Sequence, residues 1–174
     1  ISLAGPLVVG ILSGGKLLAT AKKVDKAAEG ALTRALNASR FNGQRGQSLT
    51  VMAPPGVAAS RVIMIGLGDA DLIDELAAQS FGGQAWKSVA STGDKSALVA
   101  VDPISGSKLN VANLAANAAF GAVLGSYRFD KYRTQEKPSA KPSITKLAIC
   151  SRDAAGAKKA YAPMAKIASG VFMT

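Results

Sequence analysis

Histidine is absent from all 174 residues of the chain. That excludes Ser-His-Asp and Cys-His catalysis and every histidine metal site within it. Cysteine occurs once, at Cys150, so no internal disulfide can form, a thiolate zinc site cannot be built from one chain, and a reducing cytoplasm is the natural setting. Cys150 ends an apolar, strand-like run and reads as a small buried hydrophobe rather than a reactive thiol. No run approaches the ~18–20 uninterrupted apolar residues of a membrane helix, so no membrane partner is expected. The first residues, Ile1 to Pro6, carry neither a basic region nor a cleavage site, so a secretory leader is not expected in this numbering. Internal repeats and low-complexity tracts are also missing. Acids are scarce: 11 Asp and Glu stand against 21 Lys and Arg, a formal net charge of +10.

What is present suits a single domain with a substantial core. The charge is uneven. From Arg128 onward ten Lys and Arg face three Asp and Glu, whereas the first 127 residues carry eleven against eight. A basic tail half can attract phosphate backbones, which makes DNA one candidate partner, or it can meet an acidic domain.

Taken in order, Ile1 to Ala4 reads as a short edge strand, Leu7 to Ile11 as a buried strand, and Ser13-Gly14-Gly15-Lys16 as a tight turn. Only Gly5-Pro6 separates the first two strands. Val24, Ala27, Ala28, Ala31, Leu32, Ala35 and Leu36 fall on one stripe and predict a single amphipathic helix, with Asp25 capping its start and Asn37 its end. The loop Asn37 to Gln47, with Arg40, Arg45 and two glycines, reads as a mobile polar connection with anion binding as the alternative. Leu49 to Ala53 and Arg61 to Ile65 are strands joined across Pro54-Pro55-Gly56.

The second of these strands runs into Gly66-Leu67-Gly68-Asp69 and then a helix expected from about Asp71 to Ser91. Strand, Gly-x-Gly and helix resemble the opening of a phosphate loop. The third glycine is missing, however, and Asp69, Asp71, Asp74 and Glu75 would repel a phosphate. They fit better as N-cap and first-turn residues than as a metal site. Gly82-Gly83 inside the helix costs ~1 kcal/mol per glycine relative to alanine, a cost consistent with close approach of the helix to the sheet. Trp86 reads as a core or interface anchor.

Ala97 to Val101 is the next buried strand, ended by Asp102-Pro103. Val111, Leu114, Ala115, Ala118 and Ala122 then give a helix over Leu109 to Gly125 with one smooth apolar face. Its exit, Gly125-Ser126-Tyr127-Arg128-Phe129-Asp130-Lys131-Tyr132-Arg133-Thr134, interleaves aromatics with charges before the proline-containing segment Glu136 to Ser143. Tyr and Arg bury apolar area while keeping polar ends satisfied, so this exit is the best candidate contact surface. Ile144 to Cys150 forms the last strand. Asp153 to about Phe172 forms the last helix, with Tyr161, Met164, Ala165, Ala168, Val171 and Phe172 on one face and Pro163 set to kink it or restart it. The chain runs out at Val171-Phe172-Met173-Thr174 without a cap, which reads as a cut end. Alternating strands and helices argue for an α/β fold with a mixed, mainly parallel sheet covered on both faces.

The run Leu124 to Thr134 resembles the signature that closes a helix in the N-terminal domain of the leucyl (cytosol) aminopeptidases. Gly14-Gly15-Lys16-Leu17, Phe41 to Gln47, Pro54-Pro55-Gly56 and Arg61 to Gly68 agree with it in order, so the resemblance spans residues 1–174. It implies a macro-like three-layer α/β/α domain, and a longer connection near Gly5 than this chain has. It further implies a hexameric enzyme whose two divalent metals, Mn or Zn, and whose catalytic residues belong to a C-terminal domain beyond Thr174. No catalytic or metal residue is carried over to this chain. Tyr127, Arg128, Phe129, Lys131, Tyr132 and Arg133 are the expected interdomain or intersubunit contacts. The alternatives are a DNA-binding accessory domain and a macro-type binder of ADP-ribose or another nucleotide.

Overall fold

The computed structural model describes residues 5–127 and 142–171, and the side chains of residues up to 169. The expected first strand at Ile1 to Ala4 lies outside them. Among the described residues six strands make one sheet: β1 (Leu7–Leu12), β2 (Lys16–Leu17), β3 (Ser48–Met52), β4 (Arg61–Gly68), β5 (Ser96–Val101) and β6 (Lys146–Ser151). The order is β3-β4-β1-β5-β6, with β2 folded back on the end of β1. β4, β1, β5 and β6 run parallel, while β3 and β2 are antiparallel to their neighbours. This is the mixed, mainly parallel α/β sheet that the alternating pattern predicts.

Five helices flank it: α1 (Ala19–Ala27), α2 (Ala31–Asn37), α3 (Glu75–Val89), α4 (Val111–Ser126) and α5 (Ala154–Val171). The pleat sends alternate residues to opposite faces. Val8, Ile63, Ile65 and Val99 pack with Ala78, Phe81, Leu114 and Ala118 of α3 and α4. Leu7, Val9, Ile11, Val62 and Met64 pack with Ala21 of α1, its C-cap Ala28, and Leu32 of α2.

Four expectations change here. The stripe from Val24 to Leu36 is two helices, because Glu29 (φ 51°) and Gly30 (φ 80°) adopt the left-handed conformation that ends α1. Asp25 caps from inside α1: its Oδ1 accepts the Leu32 and Thr33 amides at the start of α2, at 2.8 and 3.0 Å. Ala38, not Asn37, is the C-cap of α2. The helix expected over Asp71 to Ser91 is a 3-10 turn at Ala70–Leu72 followed by α3, whose N-cap Asp74 accepts the Ala77 amide at 2.8 Å.

The glycine pair of α3 faces a helix rather than the sheet. A Cβ on Gly82 would lie 1.8 Å from the Ala118 carbonyl oxygen, and one on Gly121 1.9 Å from that of Gln79. Glycines on both helices thus let α3 and α4 touch backbone to backbone. Since α5 packs on the far side of α4, Ala112, Ala116 and Asn117 are buried as well as the predicted face. Asn117 satisfies itself in that seam, accepting from Gln79 Nε2 at 2.8 Å and donating to the Asn113 carbonyl at 3.0 Å. A single α5 passes through Pro163, with Ala168 buried on it; Phe172 lies outside the described residues.

Candidate functional site

Two places drew functional expectations: the crest, where the strands' C-terminal ends meet helix N-termini, and the exit of α4.

At the crest, the segment between α2 and β3 is fastened down rather than free. The Gln47 side-chain oxygen accepts the Asn42 and Gln44 amides at 3.0 and 3.1 Å. Gly66 N–H donates to the Gln47 carbonyl at 3.0 Å and Gly68 N–H to the Gly43 carbonyl at 2.9 Å. A Cβ on Gly66 would meet the Gln44 carbonyl oxygen at 2.0 Å, so glycine is needed there for the segment to cross. Arg45 completes the closure, donating through Nε to the Leu67 carbonyl at 3.3 Å and through Nη2 to that of Leu72. The Gly-x-Gly amides that would cradle a phosphate are therefore spent inside the protein.

A second anion position, the N-terminus of α1, is filled from within. Asp102, only 8% exposed at the end of β5, accepts the Thr20 amide on Oδ2 at 2.8 Å and the Thr20 hydroxyl on Oδ1 at 2.7 Å. A carboxylate there complements the partial positive charge of the helix start. Sequence reading treated Asp102 only as a strand terminator; its 82-residue separation from Thr20 hides the pair. The exposed acids Asp69, Asp71 and Glu75 surround the turn before α3. Among the described residues no three His, Cys, Asp or Glu side chains gather where they could hold a metal ion.

At the exit of α4, Tyr127 is the C-cap; its amide donates to the Leu124 carbonyl at 3.2 Å, and it is 36% exposed. Arg128, Phe129, Lys131, Tyr132 and Arg133 lie outside the described residues. Elsewhere on the same edge, Arg61 at the start of β4 pairs with Asp94 at 3.6 Å.

Cys150 departs from expectation. It is exposed, because β6 is an edge strand and Cys150 points to the α1–α2 face beyond the reach of those two short helices. There a hollow of about 340 Å³ opens between β5, β6 and α1, so the sheet is covered fully on one face only. Trp86 is half-buried against the α3–α4 core, as an anchor should be.

Residues 8–136 match the family model described as the cytosol aminopeptidase family, N-terminal domain. The chain belongs to the cytosol aminopeptidase family. A probable cytosol aminopeptidase of Caulobacter vibrioides is 37% identical over 159 residues, covering 91% of this chain and 31% of that protein. A mutant tomato leucine aminopeptidase shares the fold with a TM-score of 0.74 at 21% identity, over 97% of this chain and 34% of that one. The bottromycin maturation enzyme BotP, solved in complex with Mn, gives 0.60 at 21% identity, over 95% and 30%. The chain thus spans about a third of the length of these relatives, and the part it matches is their N-terminal domain.

Proposed function

We propose that this chain is the non-catalytic, assembly domain of a leucyl aminopeptidase, and that the whole protein removes N-terminal residues such as leucine from peptides. The observation that carries the reading is the match to an N-terminal domain model over residues 8–136, beside relatives three times as long that are named aminopeptidases. The donor set of the described residues does not fit a two-metal centre: Asp74 is bound to a helix amide and Asp102 to Thr20. The metals, Mn or Zn, and the hydrolytic chemistry are therefore assigned to the C-terminal part. The complex of BotP with Mn favours manganese.

The domain's own task is contact, with its C-terminal domain and with other subunits of a hexamer. Tyr127, Arg128, Phe129, Lys131, Tyr132 and Arg133 form the contact surface. The names of the relatives favour a cytoplasmic location, and among the described residues no helix is long and apolar enough to cross a membrane. Nucleotide binding is the weaker reading, given the spent crest amides.

The test is hydrolysis of a leucine chromogenic amide with added manganese, run on this chain and on the protein extended past Thr174. Activity confined to the extended form supports the assignment. Activity in the chain alone would overturn it and reopen Asp69 to Glu75 as a metal site.

A further inference from the structure

We infer that the face of β5 and β6 on the α1 side is a docking surface, whose occupant is an acidic, apolar segment of the polypeptide that follows this domain in the longer relatives. The inference rests on the reading of this chain as the N-terminal part of such a protein.

The register fixes what this face presents. Leu98 pairs with Ala148 and Ala100 with Cys150, while the alternate residues Leu147 and Ile149 pack into the core under α4 and α5. Helix supply is unequal. The three long helices α3, α4 and α5 share one face, whereas the other has only α1 and α2, of nine and seven residues. Those two pack over β1, β4 and β3 and reach only the margin of β5, where Leu98 and Ala100 join the same core. What is left open is the hollow of about 340 Å³, floored by Leu7, Leu98 and Ala100, with Val24 of α1 on one side and Cys150 on the other. Small side chains at the sheet edge make this a depression, able to take a few aliphatic side chains from a partner.

One cation, Arg152, lines the hollow, and two more stand on the elements around it. Lys146 and Arg152 share the strand face of Cys150 by the two-residue period, and Lys23 lies three residues from Thr20 on α1, the spacing of one helix face. All three are exposed. Among the described residues none of them is paired with an acid, and the carboxylate lining the hollow, Asp102, is held by Thr20. An apolar hollow with Arg152 at its edge and lysines nearby fits apolar side chains flanked by carboxylates.

Charge chooses between the occupants. A second copy would bring another +10 against the same cations. A nucleic acid would suit those cations, but the aliphatic floor has no aromatic ring on which a base could stack. The remaining two-thirds of the relatives' length is tethered to this domain and so meets the face at high effective concentration.

The experiment is the rate of maleimide modification at Cys150, read by peptide mass mapping, in this chain and in the protein extended through the C-terminal part. We expect modification at least about tenfold slower in the extended protein, the factor for a covered state that outweighs the open one ten to one. Arg152→Glu or Lys146→Glu, both on exposed side chains, should raise the extended protein's rate toward that of the chain. Equal rates in the two proteins overturn the proposal. So does protection of the isolated chain that grows with its own concentration, which assigns the face to a second copy, or protection that needs added duplex DNA. Peptidase activity of the same extended protein separates the two readings. An active peptidase with Cys150 unprotected removes only the docking surface, and protection without activity removes only the catalytic assignment.

Discussion

Asp102 and Thr20 join the end of β5 to the start of α1 through two hydrogen bonds, 2.8 Å to the amide and 2.7 Å to the hydroxyl. Removing the carboxylate leaves both donors without their partner at a part-buried helix start. Asp102→Ala should therefore destabilise the domain by about 1–3 kcal/mol in urea unfolding. Thr20→Val removes one bond only and should cost about 1 kcal/mol. Because the two act on one contact, the double variant should fall short of the sum; strict additivity would show that the pair is not coupled.

The α3–α4 seam predicts effects of opposite sign for two adjacent kinds of glycine. Gly121→Ala would place a methyl 1.9 Å from the Gln79 carbonyl oxygen, and forcing the helices apart should cost about 1–3 kcal/mol or more. At Gly83 the nearest atom, the Gly121 carbonyl oxygen, is 3.4 Å away, an ordinary contact. Gly83→Ala should be neutral or stabilise by up to ~1 kcal/mol through helix propensity. Thermal melts of the two variants decide the point; a loss at both positions would contradict the geometry.

Asp25 holds α2 from inside α1, so Asp25→Ala should loosen α2 locally. The expected cost is about 1 kcal/mol, as for other lost caps. Amide exchange at Leu32 and Thr33, whose N–H groups Asp25 binds, should rise about fivefold, the factor that 1 kcal/mol represents. An unchanged rate would mean that the cap does not limit opening there.

At the crest, Gly66 and Gly68 donate to Gln47 and Gly43, and Asp102 occupies the start of α1. Titration calorimetry with ADP-ribose is accordingly expected to give no binding heat. A saturable heat would require the segment around Gln44 to lift away.

For the assembly surface, Tyr127→Ala with Phe129→Ala in the extended protein should weaken subunit association, seen as earlier dissociation on dilution in size-exclusion chromatography. Full assembly at every concentration would remove these residues from the interface.

The elements with clean local signals were legible in the sequence. β1, β4 and β5 are continuous apolar runs, and a parallel strand buried on both faces has that composition. That an acid caps this helix was legible from the cluster Asp69, Asp71, Asp74 and Glu75, but not which one; the structure puts the cap at Asp74. Short-range patterns failed where a distant partner decided the outcome. The stripe across Gly30 kept helical spacing, yet the left-handed turn at Glu29 and Gly30 turned it into two helices that Asp25 ties together. Gly82 signalled a close approach that local pattern directed at the sheet, whereas its partners, Ala118 and Ala122, lie on another helix.

The sequence by itself determined the composition-level limits: no histidine chemistry, no internal disulfide, an α/β alternation of apolar strands and helices, and the family to which the chain belongs. All of these depend on residue identity and spacing along the chain. Only the tertiary structure decided that the Gly-x-Gly amides are bonded to the Gly43–Gln47 segment, that Asp102 closes on Thr20, and that Cys150 is exposed. Those depend on which strand is the edge and which helix covers which face. Such properties arise from contacts between residues far apart in the chain, which a local pattern does not encode.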